Sequence, residues 1–194
     1  HSLLLTALGS PEKHEQRSAR MSFEEFEKYG SKYNKNWGYM RPGEPYNLSK
    51  NFYHKPYITL HHFYRPSRRV ELATSAYISS GNGGGRCSES KGRRIIYFIK
   101  DGQIDWRGAI AANRNPDGSS SSILSDYLAG HTQTGIKSNL TIEGKNGFSY
   151  VGGLHYQFYS TWDKERITDL LGGDFWYEDY QNKSLAGVAG RDPV

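Results

Sequence analysis

The 194-residue chain is 36% hydrophobic, carries 22 glycines and has a mean hydropathy of −0.77. That balance suits neither a helix-rich core nor transmembrane helices, and no eighteen-residue apolar run exists. A net charge of +5 is scattered, with tight basic groups only at Arg65-Pro-Ser-Arg68-Arg69 and Arg93-Arg94. No nucleic-acid-binding motif accompanies them, so a nucleic-acid partner is not expected.

In chain order, the apolar run Ser2 to Ala7 is bounded by the turn signal Gly9-Ser10-Pro11 and reads as a strand near 1–8. It follows His1 directly, with no initiator methionine or signal-like segment, so the expectation is a piece of a longer protein. A long polar excursion over 9–54 comes next. It holds one short helix, opened by Ser22 with Glu25 as a capping box and closed by Gly30, on which Phe23 and Phe26 are expected to share a buried side. Tyr33 to Tyr53 has no period and reads as a structured loop.

Strands are expected near 55–65 and 69–80, separated by the break Arg65 to Arg69. In the first, Ile58 and Leu60 oppose Tyr57, Thr59 and Phe63; in the second, Val70, Leu72, Ala76 and Ile78 alternate with Glu71, Ser75, Tyr77 and Ser79. His61 and His62 are neighbours on a strand and point to opposite faces, so they cannot chelate one ion together. Gly81 to Gly85 lacks the ending and context of a phosphate loop and reads as a flexible or tightly turning loop root. Cys87, the only cysteine, then reads as a bystander thiol and rules out an internal disulfide framework. A second excursion over 81–132 contains the apolar run Ile95 to Ile99, the turn Asp101-Gly102 and a short helix with Asp105 as N-cap before Trp106.

The clearest signal is a hairpin over Thr134 to Trp162 around Gly144-Lys145-Asn146-Gly147, with strands near 133–144 and 147–161. Ile136, Leu140 and Ile142 share one face, and Lys137, Asn139, Thr141 and Glu143 share the other. Phe148, Tyr150, Leu154, Tyr156 and Phe158 likewise oppose Ser149, Gly153, His155 and Gln157, with Val151 the interruption. Each run reaches the roughly 9–11 residues a tilted strand needs to cross a bilayer. A long hairpin of a soluble β-sandwich has the same pattern. The connections separate the two readings: long excursions alternate with short breaks, and 162–194 forms a third long one. An up-and-down membrane barrel has short periplasmic turns and long extracellular loops. The expected fold is therefore all-β, an antiparallel up-and-down transmembrane β-barrel fragment of about five strands, its long extracellular loops carrying short helices.

Five segments carry a family likeness: Ala7-Leu-Gly-Ser-Pro-Glu-Lys-His-Glu-Gln-Arg17, Lys28-Tyr-Gly-Ser-Lys-Tyr-Asn-Lys-Asn-Trp-Gly38, Tyr53-His-Lys-Pro56, Ser79-Ser-Gly-Asn-Gly-Gly-Gly85 and Asp169-Leu-Leu-Gly-Gly-Asp174. In order and spacing they resemble the barrel of Bacteroidetes-type TonB-dependent outer-membrane receptors. The resemblance implies part of a barrel of about 22 strands, which five strands cannot close. It implies uptake of a scarce nutrient such as a siderophore or glycan across the bacterial outer membrane. The implied partners are outer-membrane lipid, the nutrient ligand, and the inner-membrane TonB complex acting through a plug domain that this chain does not contain. An accessory surface lipoprotein stays open as a further partner.

The loop residues best suited to ligand contact are Trp37, Tyr39, Tyr46, Trp176 and Tyr177, because rigid aromatics offer stacking area at low entropic cost. The competing and heavier reading is that they hold the loops folded. Asp174, Glu178 and Asp179 offer oxygen ligands, yet a solvated loop face explains them better, and no metal or cofactor is expected. Asn47, Asn139 and Asn182 match the N-glycosylation pattern and read as chance. No Gly-x-Ser-x-Gly elbow, His-Glu-x-x-His or persuasive carboxylate pair is present, so no enzyme is expected.

Overall fold

The computed structural model describes residues 1–178 and 192–193. The chain is mostly antiparallel β-sheet, 62% strand and 9% helix, which is the all-β class; its sheets are not closed. In chain order the elements are β1 (Ser2–Leu8), β2 (Glu12–Glu15), α1 (Phe23–Tyr29), β3 (Trp37–Arg41), β4 (Glu44–Asn47), β5 (Lys50–His54), β6 (Tyr57–Ser67), β7 (Val70–Ser90), β8 (Ile99–Lys100), β9 (Gln103–Ile104), α2 (Trp106–Ala111), β10 (Ser122–Glu143), β11 (Ser149–Asp169), β12 (Tyr177–Glu178) and β13 (Asp192–Pro193). The main sheet has the order β1-β6-β7-β10-β11, and β5 pairs with both β2 and β7. None of the described helices is long and apolar enough to cross a membrane.

The chain divides into two compact units. Unit 1 comprises His1–Glu12, Phe52–Gly83 and Leu128–Lys164. Its β1–β6 ladder joins Leu5 to Leu60 and Ala7 to Ile58, and its β6–β7 ladder joins Leu60 to Ala76 and Ile58 to Ile78. Cross-strand partners share a face, so both ladders sort Leu3, Leu5, Ala7, Ile58, Leu60, Leu72, Ala76 and Ile78 to one side. The turn between β6 and β7 is Arg68-Arg69, tighter than the expected break, because β6 runs through Pro66 at a register shift between Tyr64 and Ser67. The β10–β11 turn closes with Gly144 N–H donating to the Phe148 carbonyl at 2.7 Å, and Gly147 takes a φ of 78°.

Unit 2 comprises Lys13–Asn51, Gly84–Tyr127 and Glu165–Val194. Its core gathers Leu48, Ile95, Ile104, Trp106, Ala109, Leu124 and Leu171. Helix α2 starts where Asp105 accepts from the Gly108 N–H at 2.9 Å, which delivers Trp106 into that core at 0% exposure. At α1, the Glu25 N–H donates to Ser22 Oγ at 3.2 Å and the Ser22 N–H donates to Glu25 Oε2 at 2.8 Å, while Gly30 closes the helix. Phe23 and Phe26 depart from expectation: α1 buries no residue, and Phe23 is 73% exposed. Asp101 and Gly102, both at positive φ, make the tight β8–β9 turn.

Three other expectations are corrected. The stretch Tyr33 to Tyr53 is not irregular: β3 and β4 form a ribbon within it and β5 follows. Gly81 to Gly85 is neither flexible nor a turn, because β7 continues through it to Ser90 and Cys87 sits on that strand. Here glycine serves close approach: a Cβ on Gly83 would lie 2.5 Å from Tyr53 Cβ and 2.6 Å from the Phe52 carbonyl oxygen. Strand β10 likewise begins at Ser122, so the excursion expected to reach 132 is shorter, and β11 runs on past Trp162 to Asp169.

Candidate functional site

The sheet of unit 1 has two chemically distinct faces. The hydroxyls of Thr74 and Ser138 meet at 2.9 Å, which places Ser138, and with it Ile136, Leu140 and Ile142, on the side of Ala76 and Ile78. The Trp162 ring lies where a Cβ on Gly130 would go, so Trp162, Phe158, Tyr156, Leu154 and Tyr150 share this side. Leu154 is 84% exposed, and the other four side chains are exposed too. Tyr64, Phe148 and Tyr150 stand near the short-turn end, while Trp162 stands twelve residues from Tyr150 along β11. At about 3.3 Å per residue that is on the order of 40 Å of strand, and a tilt of about 45° projects it to roughly 28 Å.

The opposite face carries hydrogen-bonding groups. The Tyr77 hydroxyl lies over Gly135, where a Cβ would come within 2.5 Å of it, and reaches His155 Nε2 at 3.0 Å and Gln157 Oε1 at 3.2 Å. Tyr57 stacks on Tyr77 with centroids 6.0 Å apart. Ser79 Oγ donates to the Pro56 carbonyl at 2.9 Å and lies 3.3 Å from His131 Nε2, and the His131 ring stacks on Tyr159. His61 meets Ser75 Oγ at 2.7 Å on this face, whereas His62 stands on the other and stacks on Tyr64. Leu4, Leu8, Phe63 and Val151 are exposed apolar exceptions among the polar groups. The separate alternations are visible in the sequence, but the joint placement of Tyr77, His131, His155 and Gln157 is not. Only the strand register brings them together.

The five predicted loop aromatics lie in unit 2 and part company. Trp176 is 2% exposed with the Lys91 ammonium 4.6 Å above its ring, so it packs the interior. Tyr46 meets Trp106 edge-on at 5.2 Å and lies 4.2 Å beneath the Arg86 guanidinium. Burial raises its hydroxyl above the ordinary value, against the pull of Arg86. Tyr177 is half-buried edge-on to Phe175. Trp37 and Tyr39 pair edge-on at 5.5 Å on β3, and Tyr39 is exposed beside a cleft of about 510 Å³ lined by Met40, Arg41, Pro42, Arg107, Ile110 and Ala111. Tyr39 is the predicted contact that faces open space.

Among the acidic residues, Asp174 accepts two bonds of 2.5 Å from the Arg114 guanidinium, which holds its carboxyl below the usual carboxylate range. Carboxylate oxygens of Glu89, Glu165 and Glu178 lie within 4.8 Å of one another, and the Tyr127 hydroxyl donates to Glu89. Asn47 is buried, with its Nδ2 donating to the Gln16 carbonyl at 3.1 Å, and Asn139 lies within β10. Asp179 and Asn182 lie outside the described residues. No family model matches the chain, and no curated protein or solved structure matches it.

Proposed function

We propose that this chain is a section of the wall, with its extracellular loops, of an outer-membrane β-barrel transporter of the TonB-dependent receptor kind. The observation that carries the reading is the exposed apolar face of unit 1, bounded by Tyr64 and Tyr150 at one end and Trp162 at the other. An apolar band about 25 Å tall between aromatic girdles is what a barrel presents to lipid. A soluble monomer rarely exposes more than about a few hundred Å² of contiguous apolar surface. A β-sandwich would cover this face with a second sheet, and among the described residues none lies on it. Among the described residues the outer edge of β11 has no partner strand, which fits as well: a long unpaired edge invites pairing, and a barrel supplies the neighbouring strand.

In this reading the face holding Tyr57, Tyr77, His131, His155 and Gln157 lines the lumen, and unit 2 forms loops that take up a scarce nutrient at the cell surface. Tyr39 and its cleft are the first place to look for contact with it. The energised step would belong to the TonB complex and a plug domain. To test this, the chain is prepared with and without detergent and followed by circular dichroism and hydrogen exchange. Amides of 149–164 should be protected in detergent and unprotected, or the chain aggregated, in water. A monomer equally protected in water would contradict the proposal and favour a self-contained binding module.

A further inference from the structure

We infer that a second cleft of unit 2, about 390 Å³ in volume, binds a small ring-bearing anion. Its walls carry Arg20, Lys35 and Arg94, and no acidic side chain lines it. Lys35 is already committed, donating to both oxygens of Glu25 at 2.9 and 2.8 Å. Among the described residues neither Arg20 nor Arg94 has an ion-pair partner. Two arginines without an ion-pair partner among the described residues therefore line one cleft, and guanidinium forks match the planar oxygens of a carboxylate or the oxygens of a phosphate or sulfate.

The rest of the cleft is built rather than loose. Asn36 at its back is 1% exposed; it donates from Nδ2 to Ser18 Oγ at 2.7 Å and accepts from the Ala19 N–H at 3.0 Å. The Leu48 N–H donates to the Asn36 carbonyl at 2.7 Å, which fixes the apolar side of the cleft. At the rim the Tyr97 ring is 60% exposed, and Arg93 holds its backbone by donating to the Tyr97 carbonyl at 2.5 Å. An exposed aromatic ring in a cleft also lined by two arginines suits a ring that carries its anion as a substituent. The chemistry is shared by aromatic acids and acidic sugars. All of these residues lie in unit 2, so the inference goes beyond the membrane reading and does not depend on it.

Calorimetry on the folded chain, in whichever solvent folds it, compares benzoate with benzyl alcohol and glucuronate with glucose. At least one anion should bind more tightly than its neutral counterpart, and which one does so identifies the source. Arg20→Gln and Arg94→Gln should each weaken that anion about tenfold or more, the loss expected for a charge-assisted bond. Tyr97→Ala should weaken it less, and Lys32→Gln, an equal charge loss outside the cleft, should leave binding unchanged. Equal binding of anions and neutral partners, or anion binding indifferent to both arginine substitutions, would overturn the inference. A chain that folds in water and still binds would contradict the membrane reading while leaving this one intact.

Discussion

The two units of this protein place their apolar side chains in opposite ways. Among the described residues, every buried hydrophobic side chain belongs to unit 2, from Leu48 to Trp176, and none belongs to unit 1. Unit 2 is organised as water-facing proteins are, around an interior of Trp106, Ile95, Ile104 and Leu124. Unit 1 has nearly as many leucines, isoleucines and aromatics, yet among the described residues it buries none of them, and most of its leucines and isoleucines lie on one face of a sheet. The hydrophobic effect organises unit 2 from within; under the proposed reading, an apolar medium outside unit 1 takes the place of such an interior.

The comparison can be broken first at its strongest point. Trp106→Ala empties the centre of the unit 2 core and should cost about 3–5 kcal/mol, measured by denaturant unfolding of the folded chain. Loss of less than about 1 kcal/mol would mean that the interior is not what holds unit 2 together. Next, Leu154→Arg on the apolar face of unit 1 should cost roughly 2–4 kcal/mol when the protein folds into lipid, whereas Gln157→Arg on the opposite face should be mild. Equal costs at both positions would erase the distinction between the faces.

Smaller effects sharpen the account of unit 2. Helix α1 has seven residues and no buried side chain, so its caps matter more than its packing. Ser22→Ala should cost about 1 kcal/mol, seen as faster amide exchange confined to Phe23–Tyr29. The Lys35 ammonium and then the Ser22 N–H hold the Glu25 carboxyl below its ordinary value of 4.5. A depressed carboxyl contributes stability that is present above the ordinary value and lost as pH falls through the lowered one. Exchange in α1 should accordingly quicken only in that acid window, and Glu25→Gln should abolish the pH dependence.

What the sequence disclosed divides along similar physical lines. The helix starts at Ser22 and Asp105 were legible because capping is local chemistry, settled within three residues. The face assignments of β6, β7, β10 and β11 were legible because a period of two needs only the order of residues. Phe23 and Phe26 misled because a shared helical side says nothing of whether anything packs against it. Gly81 to Gly85 misled because glycine serves close approach as well as turns, and approach depends on Tyr53 and His131, which are distant in sequence. The roles of the loop aromatics were illegible for the same reason. Trp106 donates from Nε1 to the Tyr46 carbonyl across 60 positions, and the walls of the Arg20 and Arg94 cleft come from segments that no local pattern connects.

The most direct measurement of the central claim uses spin labels placed singly at Leu140, Leu154, Lys137 and Gln157 of the protein in lipid bilayers. Labels at Leu140 and Leu154 should relax faster with oxygen dissolved in the lipid, and labels at Lys137 and Gln157 with a water-soluble paramagnetic chelate. Equal accessibility of the two pairs to both reagents would contradict the account, because the apolar face of unit 1 would then face no membrane.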